Sequence, residues 1–145
     1  MEHILLRKFY KEVLLSMKQN SVHGKSSIAK PILVLSIFEG MENHIVEDNK
    51  IYAETLLPLF EKRCLSYGDG HIPFYYYPFY FLASDGFYHL KWKGAEIKTT
   101  SPTAKFIREH VEYAYLDDEL WELLQDKAVR DEYTEAIKKR YLTNK

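Results

Sequence analysis

The stretch 74-FYYYPFYFL-82 sets seven aromatic rings in nine positions around Pro78, and it runs straight on into 83-ASDGFYHL-90. How this segment folds decides what the remaining chain is built around. Its rings can fill a core, cover an interface or wall a pocket. Read with a period of two, Tyr76, Pro78, Tyr80 and Leu82 fall on one side of a strand, and Tyr75, Tyr77, Phe79 and Phe81 on the other. The segments "YPFYFL" and "FYHLKWK" then form the arms of a β-hairpin closed by Asp85-Gly86. An arm with rings on both faces is either covered twice or presents an aromatic platform.

On either side of this segment the hydrophobic pattern is helical. Leu5, Phe9, Val13 and Met17 recur every fourth residue beside Leu6, Tyr10 and Leu14, which predicts an amphipathic helix over 3–18. A polar loop, "KQNSVHGKSS", follows. Ser27 then suits the cap of a helix running to about Asn43, with Pro31 in the first turn, where its missing N–H is not needed. Because "PILVLSIFEGM" is apolar nearly all round, this helix is expected at the centre. A third helix is expected over 52–67, with Leu56, Leu57, Leu59, Phe60 and Cys64 inward and Gly68 at its end. Ser101-Pro102 reads as the start of a short helix through Glu109, and Tyr113 to Leu116 as a short extended segment. Asp117 and Asp126 are placed to cap the last two helices. The expected fold is one α+β domain over residues 1–145, mostly helical, its helices packed around a short aromatic-rich β-hairpin.

A chain of 145 residues can bury a core without covalent staples. The single cysteine, Cys64, excludes an internal disulfide and points to a reducing, cytoplasmic compartment. The longest uncharged apolar run, residues 72–83, is far short of the roughly 20 residues a membrane span needs, and no signal-peptide pattern opens the chain. The net charge of -1 hides an asymmetry: residues 1–108 carry 14 Lys/Arg against 11 Asp/Glu, and residues 109–145 carry 6 against 10. A mildly basic body with an acidic end permits a nucleic-acid partner.

Two motifs suggest chemistry. "HGKSS" (23–27) carries the tail of a phosphate-binding loop. Gln19 stands where the leading glycine is required, and no apolar strand precedes it, so a nucleotide site is not expected. His23, Lys25, Ser26, Ser27 and Lys30 remain candidates for single phosphate contacts at a helix start. Asp85 with Glu96 and Lys98 has the outline of the carboxylate and lysine set of metal-dependent nucleases, although Asp85 already has a sufficient turn role beside Gly86. The six histidines are scattered, so no metal ligands and no cofactor are expected.

"AKPILVLSIFEGMENHIVEDNKI", "LPLFEKRC", "YYYPFYFLASDGFYHL" and "AYLDDELWELLQDKAVRDEYTEAI" together resemble the N-terminal region of a family of bacterial HNH-type restriction endonucleases. That region is similar to the sulfur-binding domain that recognises phosphorothioate-modified DNA. The most specific parts are Lys30-Pro31, Tyr77-Pro78-Phe79 with Leu82, the Ser84-Asp85-Gly86-Phe87 turn, and Leu116-Asp117-Asp118-Glu119-Leu120-Trp121. The resemblance implies a DNA-recognition domain of a restriction-type system, with a separate nuclease subunit or a second copy as a further partner. It implies that Tyr77, Pro78 and Phe79 wall a sulfur pocket or platform, with His23, Lys25 and Lys30 as its basic rim. The third position after the proline, small in sulfur-reading members, is Phe81 here, a ring large enough to fill that pocket. Two other functions stay open from the residues alone: a protein-interaction or oligomerisation module that uses the aromatic platform, and a small metal-dependent nuclease.

Overall fold

The computed structural model describes residues 2–19, 21–22, 25–67 and 73–142. Helix α1 (Glu2–Leu14) is followed by two short paired strands, β1 (Ser21–Val22) and β2 (Lys25–Ser26), and by α2 (Ala29–Glu42) and α3 (Ala53–Tyr67). Then come α4 (Tyr76–Phe81), a 3-10 turn (Leu82–Asp85), β3 (Tyr88–Trp92), α5 (Ala104–His110) and β4 (Val111–Leu116). Helices α6 (Asp118–Leu123) and α7 (Lys127–Ile137) end in a π turn, Lys138–Leu142. The fold is α+β and mostly helical, with one antiparallel pair of strands set among aromatic side chains. Among the described residues no helix is long and apolar enough to cross a membrane.

Helix α2 is the centre, as its all-round apolar sequence requires: Ile32 to Phe38 are buried without a break. Its buried hydroxyl, Ser36 Oγ, donates to the Ile32 carbonyl at 2.7 Å and is satisfied. Helix α3 packs on α2 through Leu56, Phe60 and Cys64, and Arg63 Nε donates to Glu39 Oε1 at 2.7 Å across the seam. Burial pushes the Cys64 thiol up to about 11. Helix α1 turns Tyr10 and Leu14 into the core, and Met17 follows them from the segment after it, while Leu5 and Phe9 stay exposed. Arg7 and Lys11 close α1 onto α7 through Glu132, and the hydrogen bond from Arg7 holds that carboxyl below its usual range.

The aromatic segment departs from its period-two reading. Residues 76–81 are helical, and the expected first arm of the hairpin does not exist. Strand β3 instead pairs with β4, from Tyr88 opposite Leu116 to Trp92 opposite Val111, with a register shift after Lys91. The far edge of β4 is closed by Ile51, which exchanges both backbone hydrogen bonds with Ala114, and by the Asn49 amide, which bonds both the N–H and the C=O of Leu116. Pro58, Pro31 and Pro78 all lie inside helices, Pro31 and Pro78 in first turns, where the lost donor is an orphan anyway. A turn does fall at Gly86, but it joins the 3-10 turn to β3 rather than two arms of a hairpin: Gly86 adopts φ +94°, a conformation that costs a side chain dear.

Two caps differ in detail. Thr103, not Ser101, caps α5 by accepting the Phe106 N–H at 3.0 Å. Asp117 precedes α6 but makes no side-chain cap, because its carboxylate is engaged elsewhere. Asp126 caps α7 through the Ala128 N–H at 2.9 Å, as expected.

Gly86→Ala is expected to lower unfolding free energy by about 1–2 kcal/mol, the cost of holding an L-residue in the left-handed region. Urea unfolding measures it, and an unchanged midpoint would mean that the turn relaxes freely. A pH response follows from the buried tyrosines. Burial raises the Tyr75, Tyr88 and Tyr141 hydroxyls, and carries Tyr133 up to about 12. The folded chain therefore binds more protons than the unfolded chain above the ordinary tyrosine value of 10.0. Stability is then full below pH 10.0 and is lost as pH rises toward 12. A melting temperature that held constant across that window would contradict this burial.

Candidate functional site

Helix α4 divides its rings between three faces. Tyr75, Phe79 and Leu82, at i, i+4 and i+7, turn into the core, and Pro78 is buried beside them. The Tyr75 hydroxyl donates to the Ala53 carbonyl at 2.7 Å, and Tyr88 donates to the Phe79 carbonyl at 2.6 Å, so each buried phenol has a partner. Tyr76 and Tyr80 lie on the flank toward α5, where Tyr80 meets Trp92 and Phe106 edge-on. The outer face carries Phe74, Tyr77 and Phe81. Phe74 is 53% exposed and Tyr77 39%, and ring contacts of 5.7 and 5.6 Å join the three into one crest.

The crest ends at a cluster of charge. Asp85, at the end of the 3-10 turn, accepts Lys30 Nζ at 2.6 Å and the Lys18 backbone N–H at 2.9 Å. Its side chain is 2% exposed and that of Lys30 14%. The Lys18 ammonium reaches the Ser84 carbonyl at 3.4 Å. This corner thus brings together the segment after α1, the first turn of α2 and the end of the α4 segment. Ser27 lies beside it. Its hydroxyl accepts the Ala29 N–H at 3.2 Å, and its carbonyl accepts Gln19 Nε2 at 2.8 Å.

The expected site residues therefore take different positions. Tyr77 is exposed on the crest and Phe81 half-buried beside it, with the Phe81 ring against both Tyr77 and Tyr80. Pro78 lies beneath them and Phe79 is fully inside the core, so Phe79 offers no surface to a platform. Lys30 is not a free cation but one half of a deep ion pair. Lys25 and Ser26 form β2, and His23 lies outside the described residues.

The nuclease outline does not assemble. Both Asp85 oxygens are taken by Lys30 and Lys18, while Glu96 and Lys98 stand exposed on the loop after β3. Among the described residues no three His, Cys, Asp or Glu side chains gather as a metal-binding group.

One polar chain escaped sequence reasoning. His89 Nε2 lies 2.5 Å from Asp117 Oδ1, and the Tyr10 hydroxyl donates to Asp117 Oδ2 at 2.7 Å. Burial, and then Asp117, raises the Tyr10 hydroxyl. The chain ties α1, β3 and the start of α6, and it explains why Asp117 gives up its cap. No nucleophile accompanies it in these contacts. Nothing in sequence links three residues so far apart.

Fold and site together describe a small α+β domain with an aromatic crest running to a lysine-bearing corner. No family model and no curated protein matches the chain. Its structure is similar to the sulfur binding domain of ScoMcrA complexed with phosphorothioated DNA, with a TM-score of 0.71 and 15% identity over 91% of this chain and 86% of that one. At that identity the likeness is one of fold.

Lys30→Ala strands the Asp85 carboxylate in a dry site, and breaking a pair this deep typically costs about 3–5 kcal/mol. Urea unfolding of the variant should register that loss. A change below about 1 kcal/mol, the scale of an exposed pair, would mean that the corner is held by its other contacts.

Proposed function

We propose that this chain is a DNA-binding recognition domain of a restriction-type system, and that the outer crest of α4 is the face that meets DNA. The single observation that carries this is the outer run of Phe74 and Tyr77, exposed, with the half-buried Phe81 beside them, on the segment that ends at the exposed Lys18. Touching rings at a surface mark a contact face, and rings on a segment that ends at a lysine suit a ligand with both apolar and phosphate surface. The fold shared with a domain solved on phosphorothioated DNA supports the same function. His23, Lys25, Ser26 and Ser27, which precede α2 in the sequence, are assigned the phosphate contacts, while Lys30 is held by Asp85. Cleavage in such a system belongs to an HNH-type nuclease module or a separate nuclease subunit.

Phosphorothioate preference turns on Phe81. Sulfur is larger and less well hydrated than oxygen, so an apolar hollow beside Tyr77 and Pro78 would select it. In this chain the Phe81 ring stands 5.6 Å from the Tyr77 ring, and on this reading it is the group that fills such a hollow. The wild type should bind normal and phosphorothioate duplex with similar affinity, each weakening steeply with salt as counterions are released. Phe81→Ala opens the space and should favour the modified duplex by about 1 kcal/mol, the scale of burying one methylene-sized apolar group. Titrations of both duplexes, with thermal unfolding run alongside, test this. A folded Phe81→Ala variant that binds DNA without any such preference would sink the hollow. Self-association insensitive to salt, with no duplex binding, would instead identify the crest as a protein-interaction surface.

A further inference from the structure

We propose that the α5-side flank of α4 is a second phosphate-contact rim, formed by Lys93, Lys98 and Arg108, so that a DNA backbone crosses α4 between two basic borders. This rim rests on the DNA-binding function proposed above. It uses residues that the phosphate-loop motif and the resemblance leave out.

The observation behind it is a loop fastened to the crest helix. The Tyr80 hydroxyl donates to the Ile97 carbonyl at 3.2 Å and accepts the Thr99 N–H at 3.1 Å. Both bonds flank Lys98, so an exposed lysine in an irregular segment is set at the side of α4 by one of its tyrosines. Tyr80 itself is wedged among Phe81, Trp92 and Phe106, which fixes the direction of its hydroxyl.

Beside this loop lies a hollow of about 330 Å³ whose lining includes Tyr76, Ile107, Lys93 and Arg108. Lys93 is anchored twice to the end of α5: its N–H donates to the His110 carbonyl at 2.9 Å, and Nζ donates to the Arg108 carbonyl at 2.7 Å. One ammonium proton is used, which leaves two for a ligand. The Arg108 guanidinium has no hydrogen bond or ion pair among the described residues. Its planar fork suits a phosphate with two parallel bonds. Glu54 and Glu112 also line the hollow, yet neither lies within salt-bridge distance of Arg108 or Lys93. The hollow thus keeps the Arg108 fork and two of the three Lys93 ammonium protons for a ligand.

Two roles follow. Lys93, Lys98 and Arg108 contact phosphate, and Tyr80 is a positioning residue that acts through Lys98. Lys98 thereby acquires a use in binding rather than in cleavage.

The test is the salt dependence of duplex binding by the whole chain, for wild type, Lys98→Ala, Arg108→Ala and the double variant. Removal of each contact should lower the slope of log K against log salt by about 0.9 and weaken binding several-fold at fixed salt. The double variant should lose about twice that slope. Tyr80→Phe keeps the ring but releases the loop, and it should reproduce the Lys98→Ala slope at an unchanged Arg108 contribution, which a purely structural role would not do. Unchanged slope and affinity in the double variant, while Lys25→Ala still weakens binding, would overturn the second rim and leave the DNA-binding function standing. A wild type that binds no duplex at any salt would overturn both.

Discussion

The pair between Lys30 and Asp85 is the constraint on which the rest of the site depends. Asp85 also accepts the Lys18 N–H, so one nearly buried carboxylate joins the end of the α1 segment, the start of α2 and the end of the α4 segment. Taking two charges out of water is costly, and a deep ion pair seldom adds net stability over an apolar contact of similar size. What it adds here is position. A carboxylate that must satisfy two donors in fixed directions allows one placement of α4 relative to α2. Gly86, at φ +94°, then turns the chain directly into β3. The crest of rings and the lysines near it are held in one frame by that corner.

The same helix serves the core and the surface. Tyr75, Phe79 and Leu82 fill the interior, and the phenols of Tyr75 and Tyr88 end on backbone carbonyls. Tyr80 spends its hydroxyl on a loop instead. Tyrosine suits this economy because each ring supplies apolar area and one directed polar group. The high aromatic content of the segment is therefore not one feature but three, assigned to different faces of α4 and the residues at its two ends.

Much of the fold was legible because its signals were local. The all-round apolar α2, the inward face of α3, the Asp126 cap and the turn at Asp85-Gly86 could each be read from neighbouring residues. The aromatic segment could not, since nearly every position is a ring and so satisfies a period of two and a period of 3.6 equally well. Pro78 did not decide the matter, being at home both in a strand edge and in the first turn of a helix. With α4 misread, the partner of β3 was misplaced too. Its true partner β4 lies beyond a whole helix, and only the ladder from Tyr88 to Trp92 identifies it. The site was legible in part. Tyr77 and Phe81 stood out by density of rings, but the ion pair that withdraws Lys30, the Tyr80 fastening and the His89–Asp117–Tyr10 chain all join residues distant in sequence.

The most direct test of the crest as the DNA-contact face is a heteronuclear NMR titration of the labelled chain with a short duplex. Resonances of Phe74, Tyr77, Phe81 and Ser84 should move together, with those of Lys98 and Arg108 following the same saturation curve. Residues at the seam of α1 and α7 around Arg7 and Glu132 should stay in place. Shifts confined to α1 and α7, with Tyr77 and Phe81 unmoved at saturation, would contradict the assignment of the crest.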